Sequence, residues 1–157
     1  ICEIANDNSD GQVIISGDKI SVQSLQSTSK EKKIKSILLN VSAPFHCSLM
    51  KPAAEKMKEK IINTKFKNTS FKIISNVTAK AENNVDDIKK LLIKQIYSTV
   101  KWRESIINMS KTGVNNFIEL GPGKVLTGLV KRTIKDANCF SINSITDIKN
   151  LIDEFKK

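Results

Sequence analysis

The fold class predicted for this chain is α/β, and three observations predict it. Short β-rich runs alternate with amphipathic helical stripes over most of the length. Turn formers, rather than long polar tracts, separate those runs. The composition is that of a chain able to pack a core, with 39% hydrophobic residues and only 6 Gly and 3 Pro in 157 residues. Strands separated by helices make βα units, which favour a mostly parallel sheet.

The first forty residues read as strand, turn, strand, helix, strand. Asn6-Asp7-Asn8-Ser9-Asp10-Gly11 is dense in turn formers. Residues 12–16 are a short β-rich run closed by Gly17. Residues 18–33 suit a helix with Asp18 as its N-cap. Residues 34–41 are apolar and read as a further strand, which runs directly into the loop holding the single histidine. Residues 51–62 suit a helix with Pro52 in its first turn, where a missing N–H costs nothing. Residues 71–75 read as a strand. In 86–97, Ile88, Leu91, Leu92 and Ile96 fall on one helical face. Residues 102–110 repeat that stripe with Ile106, Ile107 and Met109. The remainder alternates: strand 116–120, helix 123–134, strand 139–142 and closing helix 145–155.

The net charge of +10 raises nucleic-acid binding, because clustered cations release counterions from phosphate. Only Arg103 and Arg132 among the 26 basic residues are arginine, the preferred reader of phosphate and guanine. The lysines are spread through helical stretches, with one tight cluster at Lys30, Lys32, Lys33 and Lys35. A surface that docks an acidic protein fits this pattern better than one that binds nucleic acid. Cys2, Cys47 and Cys139 are far apart and odd in number, so neither a disulfide framework nor a zinc site is expected. No apolar run is long enough to span a bilayer, and no signal-peptide pattern is present. The expected location is the cytoplasm. The chain opens at Ile1 without an initiator methionine, so a longer protein is expected.

His46 is the only imidazole, within Val41-Ser42-Ala43-Pro44-Phe45-His46-Cys47-Ser48-Leu49-Met50. It cannot build a metal site with others of its kind, but it can act as a general base near neutral pH. From composition alone an ordinary histidine remains the simpler reading. Cys47 beside it is not its nucleophile, because adjacent residues in an extended segment point to opposite sides; it reads as a packed thiol. Gly121-Pro122-Gly123-Lys124 lies between a strand and a helix, where backbone N–H groups can face an anion. Ile118 and Val125 break the Walker pattern and Leu126 breaks the dinucleotide pattern, which favours a tight turn. No GxSxG elbow occurs in the chain, so a base is present without a nucleophile.

Several segments, in matching order and spacing, together resemble the malonyl-CoA:acyl carrier protein transacylase family of bacterial type II fatty acid synthesis. They are Ala5-Asn6-Asp7-Asn8-Ser9-Asp10-Gly11-Gln12-Val13-Ile14-Ile15-Ser16-Gly17, the His46 segment continued by Lys51-Pro52-Ala53-Ala54, Gln95-Ile96-Tyr97-Ser98-Thr99-Val100-Lys101-Trp102, and Glu119-Leu120-Gly121-Pro122-Gly123-Lys124-Val125-Leu126-Thr127-Gly128-Leu129. The resemblance covers nearly the whole chain. It implies part of a ferredoxin-like small subdomain over residues 1–43. Residues 44–157 would then be the C-terminal portion of an α/β-hydrolase-like acyltransferase domain.

The same resemblance implies that the front half of the family's chain is absent. With it go the serine nucleophile, the N-terminal oxyanion donor and the arginine that grips the malonyl carboxylate. His46 matches the catalytic histidine, and Gln95 the residue whose backbone carbonyl orients it. Asn6 and Asn8 match residues that line the cleft for the pantetheine arm. Phe45 resembles the form that limits room beside the acyl α-carbon. The implied partners are malonyl-CoA and acyl carrier protein, with no metal and no cofactor beyond the thioester substrate. The complete protein would be a monomer that binds neither nucleic acid nor membrane. Asp10 replaces a usual proline, and Ser98-Thr99-Val100 replaces a usual Asn-Pro-Val. A non-catalytic module that binds acyl carrier protein is the alternative from a different class, and a nucleic-acid-binding domain the third.

Overall fold

A computed structural model describes residues 1–156. The chain opens with an antiparallel hairpin of β1 (Cys2–Ser9) and β2 (Gln12–Gly17), followed by α1 (Lys19–Glu31). The predicted turn over 6–11 is much narrower than expected. Asp10 and Gly11 alone form it, with Gly11 at φ 73°, a conformation glycine adopts without a Cβ penalty. The polar residues Asn6 to Ser9 continue the strand instead. Two register shifts, between Ile4 and Asn6 and between Asp7 and Ser9, accommodate them. Pairing on both edges of β1 outweighs local turn propensity, since Asp7 N–H also donates to Val100 O at 3.0 Å and Val100 N–H to Ala5 O at 2.8 Å.

Asp18 caps α1 as its sequence suggests, accepting from Ser21 N–H at 2.9 Å. The strand expected at 34–41 is irregular, and all eight of its residues are exposed. A strand needs a neighbour for its ladder, and none lies alongside it among the described residues. A single 3-10 turn, Ser48–Met50, leads into α2 (Lys51–Asn63), with Pro52 in its first turn. Of the strand expected at 71–75 only β3 (Ile73–Ile74) forms, paired antiparallel with β4 (Ala81–Glu82).

Next come α3 (Val85–Gln95), α4 (Trp102–Lys111), β5 (Asn116–Leu120), α5 (Val125–Thr133), β6 (Asn138–Ile142) and α6 (Ile145–Glu154). The mostly parallel sheet is realised only in part. Strands β5 and β6 pair in parallel around α5, while the other two strand pairs are antiparallel hairpins. Among the described residues the buried apolar side chains are Ala5 on β1, Cys47 in the histidine loop, Ala54 on α2, Ala79, Ile106 on α4, and Leu129 and Val130 on α5. Helix α2 packs on α3, and both α4 and α5 pack on β1. Strand β1 is therefore shared by β2, α4 and α5.

Candidate active site

His46 sits at φ 60°, in the left-handed region that costs a residue with a Cβ about 1–2 kcal/mol. The loop around it is held from within to sustain that conformation. Phe45 N–H donates to Ala43 O at 2.9 Å, Cys47 Sγ–H to Pro44 O at 3.1 Å and Met50 N–H to Cys47 O at 3.0 Å. Cys47 has no exposed surface, so its thiol anchors the loop as a packed group. The left-handed step turns the half-buried imidazole toward the end of α3.

There Nδ1 of His46 lies 2.8 Å from the backbone carbonyl oxygen of Gln95. A carbonyl only accepts, so Nδ1 carries the proton and Nε2 keeps a free lone pair. Gln95 is the last residue of α3, and its carbonyl is one of the four that a helix end leaves without an intrahelical partner. The negative end of the helix dipole therefore faces the imidazole and favours any positive charge it acquires. No carboxylate is buried to achieve this.

Both sides of the contact are moored to β1. On the carbonyl side, Thr99 Oγ1 donates to Ile4 O at 2.6 Å, and Val100 bonds to Ala5 and Asp7 as described. On the imidazole side, Ser48 donates twice to Glu3, from its backbone N–H to Oε2 at 2.9 Å and from Oγ to Oε1. Those donors hold the Glu3 carboxyl below its ordinary range, side-chain bond first and backbone bond second. Lys51 Nζ lies 6.0 Å from the Tyr97 ring centre and ties the two sides again. Residue-by-residue reasoning missed Glu3 and Ser48. An acidic residue inside an otherwise apolar start to β1 was the only signal that could have found them.

The other candidates are placed less closely. Asn6 and Asn8 are half-buried on β1, and no hydrogen bond joins either to His46. Asn6 faces Val100 across an isolated parallel bridge, and Asn8 falls within the second register shift. Phe45 precedes His46 in the loop and is 48% exposed. Both arginines are engaged within the chain. Arg103 grips Asp7 through Nε and Nη2, each at 2.9 Å, and reaches Asp10 at 3.2 Å; Arg132 donates to Gln12 Oε1 at 2.7 Å. Asp10 thereby gains a structural partner.

The Gly121-Pro122-Gly123-Lys124 loop is an anion cradle that the chain fills by itself. Glu119 accepts from Leu126 N–H at 3.1 Å and Thr127 N–H at 2.7 Å, two amides of the first turn of α5. Those bonds, that to Thr127 foremost, lower the Glu119 carboxyl from its ordinary 4.5. Gly123 N–H donates to Asn143 Oδ1 at 2.6 Å. Gly121 N–H donates to Ile142 O at 3.1 Å, so both glycine amides of the loop are taken up within the chain, as in a tight turn. Among the described residues no group of three or more His, Cys, Asp or Glu is gathered to hold a metal, and no helix is long and apolar enough to cross a membrane.

No family model matches the chain. Curated relatives and solved structures do. A malonyl CoA-acyl carrier protein transacylase of Haemophilus influenzae is 39% identical over 156 residues, 99% of this chain and 50% of the relative. The crystal structure of an acyl-carrier-protein-S-malonyltransferase from Bartonella henselae superposes with a TM-score of 0.94 at 37% identity, covering 100% of this chain and 50% of that one. A type II polyketide acyl-carrier protein in complex with its malonyl-transacylase gives a TM-score of 0.93 at 35% identity over 98% of this chain and 50% of that chain. The chain spans about half the length of the curated relatives it matches.

Proposed function

We propose that this chain, which belongs to the malonyl CoA-acyl carrier protein transacylase family and spans about half the length of its relatives, supplies the general base of a malonyl transferase. In this reading residues 1–43 are part of a ferredoxin-like subdomain, and 44–157 complete a hydrolase-like domain whose serine lies outside the chain. The observation that carries the reading is the 2.8 Å contact of His46 Nδ1 with Gln95 O, which leaves Nε2 as the basic nitrogen.

Nε2 takes the proton of the serine hydroxyl as its oxygen bonds to the malonyl thioester carbonyl. Collapse of the tetrahedral intermediate breaks the C–S bond, and the imidazolium returns its proton to the departing thiolate of coenzyme A. The second half runs in reverse. Nε2 takes the proton of the phosphopantetheine thiol of acyl carrier protein, the thiolate attacks the seryl ester, and the serine oxygen leaves with the proton restored. The proton is held on the imidazolium twice per turnover, and the C-terminal end of α3 stabilises it each time. Asn6 and Asn8 line the path of the pantetheine arm, and Phe45 bounds the acyl pocket. The exposed lysines at 30, 32, 33 and 35 give an acidic carrier protein a complementary surface. The reaction calls for no metal and no further cofactor, and the complete enzyme is a cytoplasmic monomer.

The test is acylation of the complete protein by radiolabelled malonyl-CoA, with and without His46→Ala. Label is expected in the parent protein, with acylation slower by about 10²–10⁴ in the variant, the usual range for a lost general base. Normal incorporation and normal transfer by His46→Ala would refute the mechanism. Binding of carrier protein without any acyl-enzyme would favour a non-catalytic docking module.

A further inference from the structure

We propose that Glu3 is a positioning residue for His46: its carboxylate clamps Ser48, two residues past the imidazole, and fixes the loop's left-handed step onto β1. The inference rests on the reading of His46 as the base and deepens it.

Four observations converge on Glu3. Its two carboxylate oxygens take separate donors from one residue, the N–H and the Oγ of Ser48. Ser48 opens the helical stretch that continues through α2, so the carboxylate lies at the positive end of that stretch and is favoured there. Apart from the contact of His46 with Gln95 that the clamp is proposed to preserve, and the cation–π contact of Lys51 with Tyr97, the bonds that hold the loop are local, joining Ala43, Pro44, Phe45, Cys47 and Met50 to one another. They keep the loop's shape but not its place. Finally, Glu3 is adjacent along β1 to Ile4 and Ala5, whose carbonyls anchor the Thr99–Val100 segment behind Gln95.

The base and the carbonyl that orients it thus share one strand as their reference. A left-handed residue with a Cβ relaxes toward ordinary backbone when its surroundings loosen, which would swing the imidazole off the Gln95 carbonyl. Glu3 prevents that swing without touching the imidazole or the reacting atoms. Ser48 is its counterpart, and each should depend on the other.

The experiment measures single-turnover acylation of the complete protein by radiolabelled malonyl-CoA for Glu3→Ala, Glu3→Gln, Ser48→Ala and the Glu3/Ser48 double variant. The His46 Nδ1–H resonance is followed by proton NMR in the same proteins. Glu3→Ala is expected to slow acylation about tenfold, with the malonyl-CoA KM within about twofold, since loosened orientation acts on the chemical step. Glu3→Gln retains an acceptor for Ser48 N–H and should recover most of that loss. The Nδ1–H resonance should broaden or shift in Glu3→Ala and return in Glu3→Gln. The double variant should be no slower than Glu3→Ala alone.

The proposal is overturned if Glu3→Ala acylates at the parent rate, or if its rate falls only in proportion to the fraction folded while the resonance is unmoved. Should Glu3→Ala fail to fold, Ser48→Ala with Glu3→Gln decides the matter by the same readouts. His46→Ala is the control that separates the two claims. If it is slow while Glu3→Ala is normal, the base stands and the clamp falls; if it is itself normal, the base fails and the clamp with it.

Discussion

The Gln95 contact makes an unusual demand, because a side chain named in the site should be dispensable while its peptide bond is not. Gln95→Ala leaves the carbonyl of the last α3 residue where it is, 2.8 Å from His46 Nδ1, and puts a better helix former at that position. Acylation by malonyl-CoA should then change by less than about twofold. The carbonyl itself can be weakened by replacing Ile96 with its α-hydroxy analogue, so that the Gln95–Ile96 amide becomes an ester. The only backbone donor this removes is Ile96 N–H, whose contact with Ile93 O is already long at 3.4 Å.

The size of the effect follows from the charge that appears on the imidazole. A neutral hydrogen bond is worth about 0.5–1.5 kcal/mol net and one to a charged group about 1.5–3. The carbonyl therefore binds imidazolium more strongly than imidazole by about 1 kcal/mol, and a much poorer acceptor should slow acylation about threefold to tenfold. Rapid-quench single turnovers of the parent, Gln95→Ala, the ester and His46→Ala provide the comparison. The expected order is parent and Gln95→Ala together, then the ester, then His46→Ala far below. A Gln95→Ala rate as low as that of His46→Ala would refute this account of the orienting group. So would a folded ester protein that runs at the parent rate.

Four further expectations follow from packing and charge. Ile106 is 1% exposed and the largest fully buried side chain, so Ile106→Ala should cost about 2–5 kcal/mol by chemical denaturation. Glu119 and Asp147 both have carboxyls held below their ordinary range by backbone and side-chain donors. Such groups contribute stability that is present above their unfolded values and lost as pH falls through the folded ones; Tm should drop below about pH 4.5, and Glu119→Gln should flatten part of that slope. Thiol titration under native conditions should find Cys2 reactive, Cys139 slow because burial raises its thiol, and Cys47 silent until the chain unfolds. The 157-residue chain expressed alone should bind a hydrophobic dye and associate, and a monodisperse, dye-silent monomer would contradict the exposed apolar surface at Ile34, Ile37, Leu38, Leu39 and Val41.

The sequence was legible where local pattern and tertiary setting agree. Helices α2 to α6 and strands β5 and β6 carry their own apolar stripes and turn residues, with Asn84 and Ser144 capping α3 and α6, and they lie within two residues of expectation. It misled where a neighbour decides. Asn6 to Ser9 has the composition of a turn, yet a second edge contact from Val100 and the Arg103 grip on Asp7 keep it extended. Residues 34–41 have the composition of a strand but no ladder partner. The His46–Gln95 pair was reachable only through family resemblance, because a backbone carbonyl leaves no mark on side-chain chemistry. Glu3 escaped both routes, since its role depends on a contact 45 residues away that no local period encodes.

The division between what is finished and what is open in this chain has a physical logic. A compact protein of 17.5 kDa exposes roughly 7,900 Å². This chain exposes 11340 Å², an excess of about 3,400 Å², which is on the scale of a permanent interface rather than a transient one. Several polar ties are nonetheless made inside the chain. The imidazole has its carbonyl, the loop has Glu3, and the cradle before α5 has Glu119. Directional bonds must be set to tenths of an ångström and are made within one run of chain. Apolar faces tolerate looser matching, and they are what remains uncovered. In the proposed enzyme this places the exact geometry of the base inside a single self-referenced unit. Docking of the nucleophile's half then needs only hydrophobic burial to bring the serine within reach of Nε2. A base oriented before docking also keeps its tautomer through both halves of the transfer, when the serine is acylated and offers the imidazole no hydroxyl proton.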